Sequence, residues 1–180
     1  MRKFFLFSLL MICVVYFAES QTEKVKGTVV KDYGPTYPVV NPDIKVDPNI
    51  KYKLILDVAS SSNDRSEVNK SIATAARFLN MHAGAGVPVE NLEVAVVIHG
   101  GAWQDVLTNE AYKEKFGVEN PNLPLIEELV NAGGEVIICG QTAAKRQITK
   151  ANADKNIKFA LSAMTTFLQY ENNGFTYLKL

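Results

Sequence analysis

Two side chains in this sequence combine real reactivity with a position where a fold can use it. Cys139 follows Val136-Ile137-Ile138 and precedes Gly140-Gln141-Thr142. The thiolate is the reactive form of cysteine, and the positive end of a helix beside it favours that form. Reading a helix from Gln141 to Lys150 puts Cys139 at such an end. Gly140 keeps bulk away from the sulfur, while Gln141 and Thr142 offer hydrogen-bonding groups. The alternative is a small buried hydrophobe that finishes a strand, a common use of free cysteine. His99 stands in a similar context, after Val96-Val97-Ile98 and before Gly100-Gly101. It could serve Cys139 as a base, or it could be a structural histidine bonded to a loop.

Other candidates carry weaker signals. Ser60 opens the loop after another strand and can contribute a hydroxyl to a site. Asn120, before Pro121, reads mainly as a helix cap and secondarily as a ligand contact. His82 falls near a helix C-terminus, where an imidazole interacts well with the helix dipole. Trp103 follows the His99 loop, as a pocket wall or a subunit contact. Several chemistries lack their parts. Two histidines and two cysteines in the whole chain make a poor zinc set. Neither a GxxxxGK[ST] phosphate loop nor a GxGxxG fingerprint is present, so no cofactor is expected. Ala83-Gly84-Ala85-Gly86 falls at a helix end rather than after a strand, and no G-x-S-x-G elbow occurs.

The elements that would position these residues alternate. Tyr52–Ala59 reads as a strand, and Asp64-x-x-Glu67 as a capping box opening a helix with Val68, Ile72, Ala75 and Leu79 on one face. Leu92–Ile98 reads as the second strand, and Val94–Ile98 within it is a continuous apolar run of the kind buried on both faces of a parallel sheet. A short helix is expected over Asn109–Phe116, and another after Asn120-Pro121-Asn122, with Pro121 at its first position. Glu135–Ile138 reads as the third strand. Asn156–Leu161 contains a fourth, Ser162 caps a helix carrying Met164, Phe167 and Leu168, and Phe175–Leu180 closes the chain as a strand. Alternation of this kind points to one parallel sheet with helices on both faces. Ligands of such sheets bind at the carboxyl ends of the strands. The loops leaving those ends begin at Ser60, His99 and Cys139.

The N-terminal 50 residues are different in kind. Arg2 and Lys3 precede an apolar run from Phe4 to Phe17, and Ala18-Glu19-Ser20 is a small-x-small site. The layout predicts a signal peptide over 1–20 and an exported protein, periplasmic or secreted, with no stable membrane span once the signal is removed. Residues 21–50 read as a Pro-rich arm with four of the seven prolines, which needs its own domain or a neighbouring subunit to lie on. Lys26–Lys31 is a possible short strand within it. Residues 51–180 form the α/β domain. Removal of 1–20 takes Arg2, Lys3, Glu19 and Cys13, so the formal charge moves from 0 to −1 and one cysteine remains. No field is available to attract nucleic acid. A lone thiol cannot close an internal disulfide.

The run Val96-Val97-Ile98-His99-Gly100, then Asn120-Pro121-Asn122, then Val136 to Ala143 with Cys139-Gly140-Gln141-Thr142, then Ala160-Leu161-Ser162-Ala163-Met164-Thr165, resembles the DsrE/DsrF-like family in order and spacing over about residues 50–180. The resemblance implies a three-layer α/β/α fold with a five-stranded parallel sheet, in which the strands ending at His99 and Cys139 are neighbours. It also implies a homo-oligomer, a trimer or hexamer, and relatives that carry persulfide sulfur on a cysteine. The relay cysteine of some relatives lies on a different loop, and the export signal and the 21–50 arm are departures. Two functions follow as expectations. One is a thiol-dependent sulfur carrier or sulfurtransferase-like protein, in which Cys139 takes sulfur from a donor protein or a small sulfur species. His99 then assists, and Gly140, Gln141, Thr142, Ser60 and Asn120 line the site. The other is a non-catalytic oligomeric protein of the cell envelope that binds a small ligand in the same crevice.

Overall fold

The computed structural model describes residues 23–180. The expected signal peptide over 1–20 lies outside the described residues. Five strands form one parallel sheet: β1 (Tyr52–Val58), β2 (Leu92–Ile98), β3 (Glu135–Cys139), β4 (Ile157–Ala160) and β5 (Thr176–Lys179). Their order across the sheet is β4-β3-β2-β1-β5. The helices are α1 (Lys70–Gly84), α2 (Asn109–Phe116), α3 (Leu123–Asn131), α4 (Gly140–Arg146) and α5 (Ala163–Asn172). A 3₁₀ segment, Gly100–Val106, follows β2.

Alternation along the strands divides the core in two. Leu56, Val58, Val94, Val96, Ile98, Val136 and Ile138 point to one face and pack against Ile72 and Leu79 of α1 and Leu125, Ile126 and Leu129 of α3. Ile55, Ala95, Val97, Ile137 and Cys139 point to the other, together with Ala163 and Phe167 of α5. Both faces of the central strands are therefore covered, as their continuous apolar runs require.

Several local expectations are corrected by tertiary contacts. α1 opens at Lys70 rather than near Asp64, with Asn69 as its cap accepting from the Ser71 amide at 2.9 Å. Asp64 instead closes its own turn, accepting from the amide and hydroxyl of Ser66. α3 begins at Leu123 with Pro124 in its first turn, so Asn120 is not its cap. α4 stops at Arg146, short of Lys150. Gln147 turns left-handed at φ 56°, and the buried Ile148 returns its amide to Ala143. No strand forms over Lys26–Lys31. Val25 pairs with Thr36 in a single antiparallel bridge. The intervening backbone bonds to Asn80 of α1, whose side chain reaches Val29, Val30, Tyr33 and Gly34. The arm thus lies on its own domain as far as Gly34. Beyond it, Tyr37, Val39, Val40 and Ile44 are exposed.

Candidate functional site

The register decides which reactive groups meet. Ile98 pairs with Ile138 between β2 and β3, so His99 and Cys139 continue those strands side by side. Both face the α5 side of the sheet. Cys139 belongs to the α5-side core, and the His99 ring stands edge-on to Phe167 of α5 at 6.4 Å. Both sit at the carboxyl ends of their strands.

Cys139 ends β3 and is 6% exposed. Burial pushes its thiol up. The Thr142 amide, the Ala163 amide, the Thr142 hydroxyl and the Gln141 amide near the sulfur favour the thiolate and outweigh burial, so its pKa falls below the ordinary value. These donors come from two chain segments, the first turn of α4 and the start of α5. Thr142 couples the arrangement to the neighbouring loop. Its hydroxyl oxygen accepts from the Gly100 amide at 3.2 Å, which leaves its own proton for the sulfur. Gly100 has φ 56°, a left-handed conformation that suits glycine, and its neighbour Gly101 donates to the Ala59 carbonyl at 2.7 Å.

His99 is engaged elsewhere than expected. Its Nε2 lies 2.6 Å from Oδ1 of Asp57. Among the described residues no hydrogen bond joins it to Cys139. Asp57 is 5% exposed and sits next to last in β1. Its other oxygen accepts from the Tyr177 hydroxyl of β5 at 2.5 Å. Burial pushes the Asp57 carboxyl up, but the Tyr177 and His99 hydrogen bonds, the His99 charge and Lys179 together hold it below the ordinary carboxylate value. Tyr177 in turn is pushed up to about 12, first by its hydrogen bond to Asp57. The sequence reading missed both partners. A carboxylate inside Leu54-Ile55-Leu56-Asp57-Val58 was a usable signal, because a charge in a buried strand needs a partner. Tyr177, 120 residues away, gave none.

The remaining candidates separate into two groups. Gly140 and Gln141 adjoin the thiol, and Gln141 Nε2 approaches the Leu161 carbonyl at 3.4 Å. Gly140 is tightly enclosed, since a Cβ there would overlap the Ala160 carbonyl. Ser60 is exposed, and its carbonyl accepts from Asn69 at 2.9 Å. Asn120 is 2% exposed, and its side chain is used within the protein. Its Nδ2 donates to the carbonyls of Asp105 and Leu107, and its Oδ1 accepts from Asn122. It locks the loop between the 3₁₀ segment and α3. His82 bonds the Phe78 carbonyl within α1. Trp103 packs beside Phe116, with Arg146 5.4 Å from its ring. A separate cleft of about 590 Å³ opens at the opposite, amino-end edge of the sheet, lined by Lys53, Glu93, Glu135, Tyr170 and Phe175. Its charges are paired, Lys53 with Glu93 inside it and Glu135 with Lys158 outside its lining, and it contains none of the reactive groups. Among the described residues no cluster of His, Cys, Asp and Glu could hold a metal ion.

Comparison with known proteins agrees with this architecture. A family model described as the DsrE/DsrF-like family matches residues 53–180. A solved structure of a protein of unknown function, MTH1491 from Methanobacterium thermoautotrophicum, superposes with a TM-score of 0.52 at 12% identity. The match covers 72% of this chain and all of the other. At that identity the likeness shows the fold alone. No curated protein sequence matches the chain.

Proposed function

Because the chain belongs to the DsrE/DsrF-like family, we propose that it is a thiol-dependent sulfur carrier using Cys139. The observation that carries this reading is the placement of Cys139 at the strand end, where the Thr142, Ala163 and Gln141 amides and the Thr142 hydroxyl favour the thiolate although the residue is buried. A packing cysteine has no need of such donors. An anionic sulfur acceptor does, because its charge must be held at the end of a sheet with little water. In the loading step the Cys139 thiolate attacks the outer sulfur of a donor persulfide. A new S–S bond forms to Cys139, the donor's S–S bond breaks, and the donor leaves as a thiolate. The same amides and the Thr142 hydroxyl then face the bound sulfur. Asp57 holds His99 beside this position rather than on the thiol itself.

Incubation with a persulfide donor followed by intact mass spectrometry is expected to add one sulfur to the native protein and none to Cys139→Ser. Alkylation across a pH series is expected to give a midpoint below that of a free cysteine, about 8.5. A thiol that reacts only after denaturation would sink the reading.

A second reading, an oligomeric ligand-binding protein without catalysis, draws support from one surface. Leu161, Met164 and Leu168 are 72%, 74% and 63% exposed and border the Cys139 edge of α5. Light scattering is expected to give an oligomer for the native chain and a smaller species for Met164→Glu with Leu168→Glu. A native monomer at micromolar concentration would remove the support for this reading.

A further inference from the structure

We infer that Asp57, His99 and Tyr177 form a proton-accepting unit that deprotonates the thiol arriving to take sulfur from Cys139. The inference rests on the sulfur-carrier reading and names the acceptor as a thiol. Its physical basis is the division of labour at the sheet edge. Cys139 already has its charge stabilised by amides and a hydroxyl, so it does not require a base. His99, one strand away on the same face, is held by a carboxylate that can only accept. Nε2 therefore carries a proton, and Nδ1 is the nitrogen whose lone pair the neutral imidazole offers. Among the described residues Nδ1 has no hydrogen-bond partner. The imidazole remains 27% exposed while Asp57 beneath it is 7% exposed in its side chain. A buried carboxylate that fixes the tautomer and orientation of a partly exposed imidazole is the arrangement that general-base chemistry requires.

Tyr177 completes the unit. Its hydroxyl occupies the second Asp57 oxygen, so the carboxylate is held from both sides and cannot rotate away from His99. The tyrosine comes from β5, and Phe167 of α5 packs edge-on against both Tyr177, at 4.9 Å, and His99. Asp57 and Tyr177 are positioning residues, and His99 is the group that meets the reacting proton.

The unloading step balances without an outside oxidant. An acceptor thiol loses its proton to Nδ1 of His99, and its sulfur attacks the terminal sulfur of the Cys139 persulfide. The S–S bond to Cys139 breaks, its electron pair stays on Cys139 as the thiolate, and the acceptor departs as a persulfide anion. His99 then releases the proton to water. An acceptor that arrives without a proton needs none of this. Sulfite at mildly alkaline pH is such a nucleophile, and it leaves with the sulfur as thiosulfate.

The test loads Cys139 with a persulfide donor, confirms the added sulfur by mass, and compares unloading by 2-mercaptoethanol with unloading by sulfite. The ratio of the two rates is independent of how much of a variant is folded. General-base assistance contributes about 100-fold or more, so His99→Gln is expected to lower the thiol-to-sulfite ratio by about that factor. Asp57→Asn is expected to do the same, because an amide can donate to Nε2 and move the proton to the wrong nitrogen. Tyr177→Phe is expected to lower the ratio by less. A ratio unchanged in both His99→Gln and Asp57→Asn overturns the inference and leaves the sulfur-carrier reading standing. Native protein that takes up no sulfur overturns both.

Discussion

Replacing Asn80 by alanine is expected to destabilise the protein by about 3 kcal/mol and to free the arm from the domain. Asn80 is 3% exposed, in the C-terminal half of α1. Its Oδ1 accepts from the amides of Val29 and Val30, at 3.2 and 2.9 Å. Its Nδ2 serves the carbonyls of Val30, Tyr33 and Gly34, at 2.9, 2.9 and 3.2 Å. One side chain therefore does for the arm what a neighbouring strand does elsewhere. Truncation leaves the buried amide and carbonyl of Val30 without partners, at about 1–3 kcal/mol for each group. The contacts of Glu128 with the amides of Lys31 and Asp32 are exposed and offset little. Thermal unfolding gives the stability change. Trypsin is expected to cut at Lys26 and Lys31 much faster in Asn80→Ala than in the native protein. Asn80→Asp is expected to fare no better, because a carboxylate facing three carbonyls repels them. Equal proteolysis of native and variant would show that the arm is held by something other than Asn80.

Gly140→Ala is expected to cost about 1–3 kcal/mol and to raise the pH at which Cys139 alkylates. Alanine suits a helix better than glycine by at most about 1 kcal/mol, and Gly140 is the first residue of α4. Space decides against it. The new Cβ would overlap the Ala160 carbonyl and lie 2.9 Å from that of Leu161. Both are backbone atoms at the β4–α5 junction, so the junction must move. That junction leads into Ala163, and Gly140 itself leads into Gln141 and Thr142. These three residues supply the amides and the hydroxyl that favour the Cys139 thiolate. A shift between the two segments weakens the donors, while burial continues to push the thiol up. Unfolding and an alkylation pH series measure both effects on one preparation. An unchanged alkylation midpoint would mean that the donors do not depend on this close fit.

How much of this was readable in the chain depends on how local the determining interactions are. The apolar run at 94–98 identified a strand buried on both faces, and 135–138 read as the third strand; each belongs to the sheet. Ser162 was legible as a cap, and it accepts from the Thr165 amide at 3.0 Å. The Asp64 box was misleading. Its geometry is local and satisfied by Ser66, whereas the true cap, Asn69, is fixed by distant groups. Asn69 donates to the Ser60 carbonyl and to the fully buried Asp105, at 2.9 and 2.7 Å, and its amide bonds Asn122 at 2.7 Å. Asn120 was misread for the same reason. A cap and a loop clamp look alike until the partners of the amide are known.

By itself the sequence determined the parallel α/β class, the placement of His99 and Cys139 at strand ends, and the resemblance to a sulfur-handling family. Those follow from hydrophobic periodicity and residue order, which act over a few residues at a time. Only the tertiary structure decided that His99 bonds Asp57, which Tyr177 holds in turn, rather than Cys139. It also decided that the thiol draws its donors from two helices, and that the arm is held by one asparagine. Each of these depends on which groups come within about 3 Å across strands and helices far apart in the chain, a distance set by sheet order and register rather than by local pattern.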